Sequence, residues 1–336
     1  MKIKNEQLLL FAIICAAIWY RLPILEGHII PMFGNTMYHV GIIRNTIDTM
    51  YYPVYELSYG GNFRHFYVPA YRLLIASISI TSNIDPMPLS GIMTIVIAIF
   101  IILAIYCLAY RIYDGRYVGL CAAMLFVSSP ELSIFTSRPL PQLLGMFMVP
   151  LTFYFVVTER KSLTVLSAML TALTHQITLL ALVATLLVYS IFQIKDRSKF
   201  LSSFIPLLAA CATYGIWQLH SLQTLDIFGI SQIVYREGTV VDWTLFARAG
   251  LVLIPFFIIG LFRTFYSDAI KKDHKLLMLS WFIATLLLTK NDLIGMHIFM
   301  DRFFTFLVGC MVIFSGFGLY YFLCQLNGML DKVVAR

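Results

Sequence analysis

The residues able to do chemistry are few and fall in clusters. His28, His39, His65, His175, His220 and His297, six of the seven histidines in the chain, stand at or near the edges of apolar runs, while His274 lies in a basic stretch. Histidine with a carboxylate nearby supplies acid and base groups or ligands for a divalent cation. A planar arginine side chain can hold a phosphate through two parallel hydrogen bonds. Four stretches offer such groups. Asn35, His39 and Asp48 come first, followed by Arg64 and Tyr67 in an aromatic turn that ends at Pro69. Glu131 and Arg138 bracket a short segment between two apolar runs, with His175 in the turn Thr174-His175-Gln176. Lys290, Asn291, Asp292, His297, Asp301 and Arg302 precede the last apolar run. Each has a plainer reading. Asn35 can be a helix N-cap, Arg44 and Asp48 an ordinary pair on one helix face, and the aromatics an interface belt. His175 can be a turn capped by its own side chains, and Asp301 a helix-start residue with Arg302 snorkelling.

The elements that must position these groups are set by composition. Of 336 residues, 60% are hydrophobic and 12% charged, and the mean hydropathy is +0.84, far outside the range of soluble domains. A single anchor of ~20 residues would leave most of the chain without a water-soluble surface. Runs of this length, rather than short alternating segments, read as helices and exclude an outer-membrane barrel. The fold expected is an all-α polytopic membrane helix bundle, one membrane domain over 1–336. The net charge of +7 is spread over short clusters between apolar runs. It therefore reports topology and points to no nucleic acid. The six cysteines all lie inside apolar runs without a C-x-x-C pair, so neither disulfides nor a thiolate metal site is expected.

Apolar segments fall at about 8–25, 66–82, 90–110, 117–130, 141–158, 162–174, 177–194, 200–219, 244–263, 276–289 and 303–324. Basic residues at Arg111/Arg116, Arg160/Lys161, Lys195 to Lys199 and Arg263 to Lys275, with those of the tail 325–336, place these connections in the cytoplasm. Lys2 and Lys4 agree only if one early segment fails to cross. The segment 66–82 contains Pro69, Tyr71 and Arg72, and an arginine at mid-membrane costs about 2.5–3.5 kcal/mol on insertion scales. About ten spans follow, in a multi-pass cell-membrane protein with both termini cytoplasmic. The first external loop, about 26–89, then carries helices lying along the membrane. One of them runs from Tyr38 to Met50, where Val40, Ile43, Ile47 and Met50 recur at helical spacing. His175 sits on a short out-and-back pair of helices, below the outer surface.

There is no Walker A, dinucleotide-binding, H-E-x-x-H or G-x-S-x-G pattern. An ATP-driven pump and a standard membrane protease are disfavoured, and the absence of paired broken helices in an internal repeat weighs against a secondary transporter.

The order of parts resembles the membrane core of the polytopic C-type glycosyltransferases, which include archaeal oligosaccharyltransferases and protein mannosyltransferase-like enzymes. Gly34-Asn35-Thr36-Met37-Tyr38-His39 resembles their Gly-Asn-Asp-x-x-Tyr-His segment, and Tyr67-Val68-Pro69 a following Tyr-x-Pro. Ser129-Pro130-Glu131 to Arg138 resembles the second-loop region, and Asp301-Arg302-Phe303 the start of a late helix. The first-loop aspartate of the family falls on Asn35, which cannot act as a general base, and the large soluble carboxy-terminal domain has no counterpart here.

The resemblance implies a glycosyltransferase-like protein that uses a polyprenyl-phosphate-linked sugar at the external face, among membrane lipids and with room for a membrane partner subunit. Under it, Asp48, Glu131 and His39 are the catalytic candidates. Asn35, Arg64, Tyr67, Arg138, His175 and Arg302 are the substrate-binding candidates. Glu131 and Asp301 are the expected ligands of a divalent metal, Mn²⁺ or Mg²⁺. The alternative is a non-catalytic relative serving as lipid-phosphate carrier, flippase or assembly subunit.

Overall fold

The structure, a computed structural model, describes residues 4–26, 34–53, 55, 67–222 and 239–334. Arg64, His28, His65 and the turn at 59–66 lie outside them. The regular elements are helices: α1 (Asn5–Glu26), α2 (Gly34–Thr49), α3 (Ala70–Ser82), α4 (Pro86–Tyr113), α5 (Arg116–Ser128), α6 (Pro130–Thr136) and α7 (Pro141–Val157), then α8 (Lys161–Ala172), α9 (Gln176–Phe192), α10 (Arg197–Leu222), α11 (Trp243–Ala247), α12 (Leu253–Tyr266), α13 (Lys272–Thr289) and α14 (Met300–Val334). The fold is the expected all-α membrane bundle.

Four of these, α1, α4, α10 and α14, are long and apolar enough to cross a bilayer unaided. Helices α3, α7, α9 and α12 are shorter apolar helices, and α5 with α6 makes a pair bent by 73°. Helix α14 is the hub. It is buried around its whole circumference from Phe303 to Gly316, as a helix hydrophobic on every side must be, and packs against α5, α12 and α13. Its crossing with α12 is backbone on backbone. A Cβ at Gly260 would meet the Phe314 carbonyl oxygen at 1.8 Å, and one at Gly318 the Phe256 carbonyl oxygen at 2.0 Å. Small residues at crossings replace the hydrophobic drive that lipid cannot supply. On the outside, Phe11, Trp19, Ile194 and Ile216 are about two-thirds exposed or more, as residues facing hydrocarbon can be.

Sequence and structure part at four places. Helix α2 begins at Gly34, so Asn35 is the second helical residue and exposed, not the N-cap. Val40 and Ile43 are buried as the spacing requires, but Met50 is exposed and turns into the left-handed region at φ 56°. It ends the helix instead of extending its apolar stripe. Arg44 does not pair with Asp48; both oxygens of Asp85 accept from it, at 2.9 and 3.0 Å. Asp85 also caps α4 by accepting from the Met87 N–H at 2.8 Å, with Pro86 opening the helix. A carboxylate at a helix start is worth more than one on a helix face, because it meets orphan N–H groups.

The fourth place is the segment 244–263, read as one span. It is broken: α11 ends at Ala247, the chain turns through Gly250 at φ 109°, and α12 resumes at Leu253. A φ of that sign favours glycine, which has no Cβ to clash. The segment 66–82 yields the 13-residue α3, about 20 Å long at ~1.5 Å per residue, shorter than the ~30 Å of hydrocarbon.

Candidate functional site

Helix α6 breaks away from α5 at Ser129-Pro130, where the proline fits the first turn of a new helix. Two contacts lock this corner to the chain after α11. The Glu131 N–H donates to the Arg248 carbonyl at 2.9 Å, and the Ser129 hydroxyl to the Ala249 carbonyl at 2.8 Å. That register delivers the Arg248 side chain to Glu131, whose carboxylate it meets at 3.0 Å. Thr305 on α14 donates to the other oxygen at 3.3 Å. Glu131 itself is buried while Arg248 is nearly half exposed, so the pair has one dry and one wet end. Burial pushes the Glu131 carboxyl above its usual range, against the opposing pull of Arg248.

Two further arginines join this corner. Arg138, just after α6, lies over the Phe135 ring at 5.3 Å, and Arg302, in the first turn of α14, over Phe299 at 5.6 Å. Arg248, Arg302, Glu131 and Asp301 all act electrostatically on Arg138; burial draws its guanidinium down, and Glu131 acts in the other direction. Three cations against two carboxylates leave a positive excess. The Arg302 carbonyl accepts from Gln142 on α7 at 3.3 Å, and the buried Gln142 Oε1 has no hydrogen-bond partner among the described residues.

A second charged centre stands on α3. Arg72 is completely buried, and its Nε and Nη2 approach His39 Nδ1 at 3.1 and 2.8 Å while Nη1 donates to the Tyr52 hydroxyl at 2.8 Å. An arginine only donates, so His39 Nδ1 is an acceptor without a proton. Tyr38 and Tyr67 close the cage at 5.2 and 4.9 Å from the guanidinium carbon. A buried cation is tolerable only with its donors satisfied, and here faces of two rings add to the hydrogen bonds.

His175 feels the charge of both centres. It sits in the turn before α9, is buried, and caps that helix by accepting from the Ile177 N–H at 3.2 Å. The preceding Leu173 carbonyl accepts from the Ala70 N–H at 2.9 Å, which ties the turn to the start of α3. Burial, with the positive charges of Arg302 and Arg72 acting in the same direction, lowers the His175 pKa to about 3. Because the folded value lies below the ordinary 6.5, the unfolded chain takes up the proton first. Stability contributed by neutral His175 is complete above pH 6.5 and declines as pH falls toward 3, by at most about 1.4 kcal/mol per unit. His175→Asn keeps a capping side chain without the titration. Melting temperatures at pH 7.5 and 5 are expected to fall less for the variant than for the parent; equal falls would remove His175 from the acid response.

The remaining candidates are elsewhere. Asp48 is exposed near the end of α2 and forms no ion pair among the described residues. Asn291 braces the turn before α14, exchanging two hydrogen bonds with the Ile298 backbone, and Lys290 pairs with Asp292 at 2.9 Å. As for a divalent cation, no three His, Cys, Asp or Glu converge among the described residues. One Glu131 oxygen faces Arg248 and both carboxylates stand among arginines, so the donor set at Glu131 and Asp301 does not fit a metal ion; it fits an anion. Two participants escaped sequence reasoning. Arg248 was hidden in an apparent span, and Arg21 on α1 is buried against α6, donating to the Ala17 carbonyl at 2.8 Å and to the Thr136 hydroxyl. An isolated arginine inside an apolar run was the signal for both.

No family model and no curated protein matches the chain. Solved structures match it over nearly its whole length. ArnT from Cupriavidus metallidurans bound to undecaprenyl phosphate superposes with a TM-score of 0.71 at 12% identity, covering 97% of this chain and 63% of that one. The Archaeoglobus fulgidus oligosaccharyltransferase AglB, in complex with an inhibitory peptide and a dolichol-phosphate, gives 0.70 at 11% identity, covering 98% and 52%. The same oligosaccharyltransferase in complex with Zn and sulfate gives 0.64 at 12%, covering 97% and 50%. The chain thus spans half to two-thirds of the length of these proteins, and what it shares with them is the fold of the membrane-embedded C-type glycosyltransferases.

Proposed function

We propose, from this C-type glycosyltransferase fold, that the protein binds the phosphate of a polyprenyl-phosphate lipid, sugar-linked in the working state, at Arg138, Arg248 and Arg302. The observation that carries the reading is the excess of arginine over carboxylate at the corner of α6, α14 and the post-α11 turn. Guanidinium groups steadied over Phe135 and Phe299 are preorganised for phosphate oxygens, so little rotamer freedom is lost on binding. By the positive-inside rule the corner faces the external side, with about ten spans and both termini in the cytoplasm.

In this reading the sugar's anomeric carbon projects from the arginines toward the His175 turn, and the acceptor attacks it there. Glu131 is the group positioned to take the acceptor proton, since its raised pKa makes it the stronger base once Arg248 turns to the lipid phosphate. His39 acts at one remove by fixing Arg72. As the donor set does not fit a metal ion, no step runs through one. The second reading, a carrier, flippase or assembly subunit acting with a membrane partner, is favoured by one observation. Asn35, standing where the resemblance expects a carboxylate, is exposed on α2.

Purified protein in lipid nanodiscs, given polyprenyl-phosphate sugars and candidate acceptors, separates the two. Saturable lipid binding with sugar transfer is expected. Binding without transfer in both the parent and Asn35→Asp would favour the carrier, and no binding would overturn both readings.

A further inference from the structure

The turn that leads into α14 runs against the local preferences of its own residues. Two residues other than glycine stand there in the left-handed region, His297 at φ 48° and Phe299 at φ 42°. That region is open to glycine and unfavourable for a bulky side chain such as phenylalanine. Phe299 also stands at the start of α14, where its carbonyl accepts from the Arg302 N–H at 3.0 Å and the Phe303 N–H at 3.2 Å. A serine, threonine, aspartate or asparagine in extended backbone would cap a helix at such a place, and phenylalanine has no oxygen to offer. Neither the residue type nor its conformation serves the helix.

Two features show what they serve. The first is a brace. Asn291 is buried in the 3₁₀ turn Asn291–Ile294 and meets both backbone groups of Ile298, the residue between the two left-handed ones. Its Nδ2 donates to the Ile298 carbonyl at 2.6 Å, and its Oδ1 accepts from the Ile298 N–H at 2.9 Å. Nδ2 donates also to the Leu288 carbonyl at 2.9 Å, in the last turn of α13. An aspartate in this place would face two carbonyl oxygens with no proton to give. The second feature is what the braced turn delivers. The Phe299 ring lies 5.6 Å from the Arg302 guanidinium carbon. That guanidinium forms no hydrogen bond and no ion pair among the described residues, so the ring orients it while its N–H donors stay open. Strained backbone persists only where its surroundings hold it, and it gathers where a side chain has to be aimed.

We infer that Asn291 is a positioning residue for the arginine corner: it holds the turn at 297–299 in its left-handed form and so keeps the Phe299 ring against Arg302. The inference rests on that corner being the lipid-phosphate site. An arginine already set over a ring loses little rotamer freedom when it takes a phosphate oxygen. Once the turn relaxes, Arg302 swings freely, and affinity falls although no group that touches the phosphate has changed.

The test is a mutant cycle, read by titrating undecaprenyl phosphate into nanodiscs that hold the whole protein, with the melting temperature of each variant measured alongside. Asn291→Ala and Asn291→Asp are each expected to weaken binding about fivefold, the size of one cation–π contact. Phe299→Leu leaves Asn291 and its bonds in place and is expected to weaken binding by about the same factor. In the Arg302→Ala background, itself a weaker binder than the parent, none of the three is expected to cost anything further, because all act through Arg302. A brace with a structural role alone would lower the melting temperature and either spare the affinity or cut it equally in both backgrounds. Either result would overturn the inference. So would full affinity in Phe299→Leu, a result that counts even where the Asn291 variants fail to fold. If Arg302→Ala binds as tightly as the parent, the arginine corner itself fails, and this inference with it.

Discussion

Replacing Arg138 and Arg302 together by alanine is expected to weaken undecaprenyl phosphate binding by about two orders of magnitude or more. A hydrogen bond to a charged group is worth about 1.5–3 kcal/mol, and each ~1.4 kcal/mol is tenfold in affinity. Replacement by lysine is expected to restore only part of the loss, because an ammonium keeps the charge but not the bidentate fork or the stacking over Phe135 and Phe299. Titration into nanodiscs at two salt concentrations reads both effects. Binding that is unchanged in the double alanine variant, with an unchanged melting temperature, would sink the arginine corner as the phosphate site.

The second large effect concerns Glu131 and Arg248. Glu131→Gln keeps the size of the side chain and an acceptor for Thr305, and releases Arg248 from its 3.0 Å contact. Sugar transfer is expected to be lost while lipid phosphate binds at least as tightly as before. Transfer retained at normal expression would take Glu131 out of the reaction.

Arg248→Ala does the reverse. It leaves a buried carboxylate without its cation, a change that costs up to about 3 kcal/mol when a pair is broken from one side. The sign of its pH dependence follows from the direction of the shift. Glu131 already sits above its usual range through burial, and without Arg248 it rises further. The folded form then holds its proton at a pH where the unfolded chain has lost it, so the stability penalty is absent at low pH and grows as pH rises through the folded value. Arg248→Ala is thus expected to melt close to the parent at pH 4 and well below it at pH 8. Adding Glu131→Gln should recover most of the difference, since no charge is then left unpaired. A penalty that is flat with pH would mean that Arg248 acts through packing alone.

The bundle was legible in the sequence because hydrophobicity is a local quantity. Whether a run can lie in hydrocarbon depends on its own ~20 residues, and the segments found that way recur as α4, α7, α9 and α10 within a few residues, while α14 runs well past its segment to Val334. The same locality made the polar islands visible, so Glu131, Arg138, His175 and Arg302 could be picked out before any of them had a neighbour. Local reasoning erred where a contact competes with a local rule. Arg44 and Asp48 satisfy helical spacing, yet Asp85 offers both a bidentate partner and the start of α4. The run 244–263 is apolar enough to span, yet the Glu131 N–H and the Ser129 hydroxyl draw the chain aside at Arg248 and Ala249. The sequence by itself determined that this is a helical membrane protein and which few groups could react. Only the tertiary structure decided that Arg21 and Arg248 belong with them, that Arg72 is caged by His39, Tyr52, Tyr38 and Tyr67, and that His175 is buried within reach of both Arg72 and Arg302. The physical reason is range: burial of a helix is settled within one turn after another of the same segment, whereas the partner of a buried charge is settled by whichever distant group can satisfy it at about 3 Å.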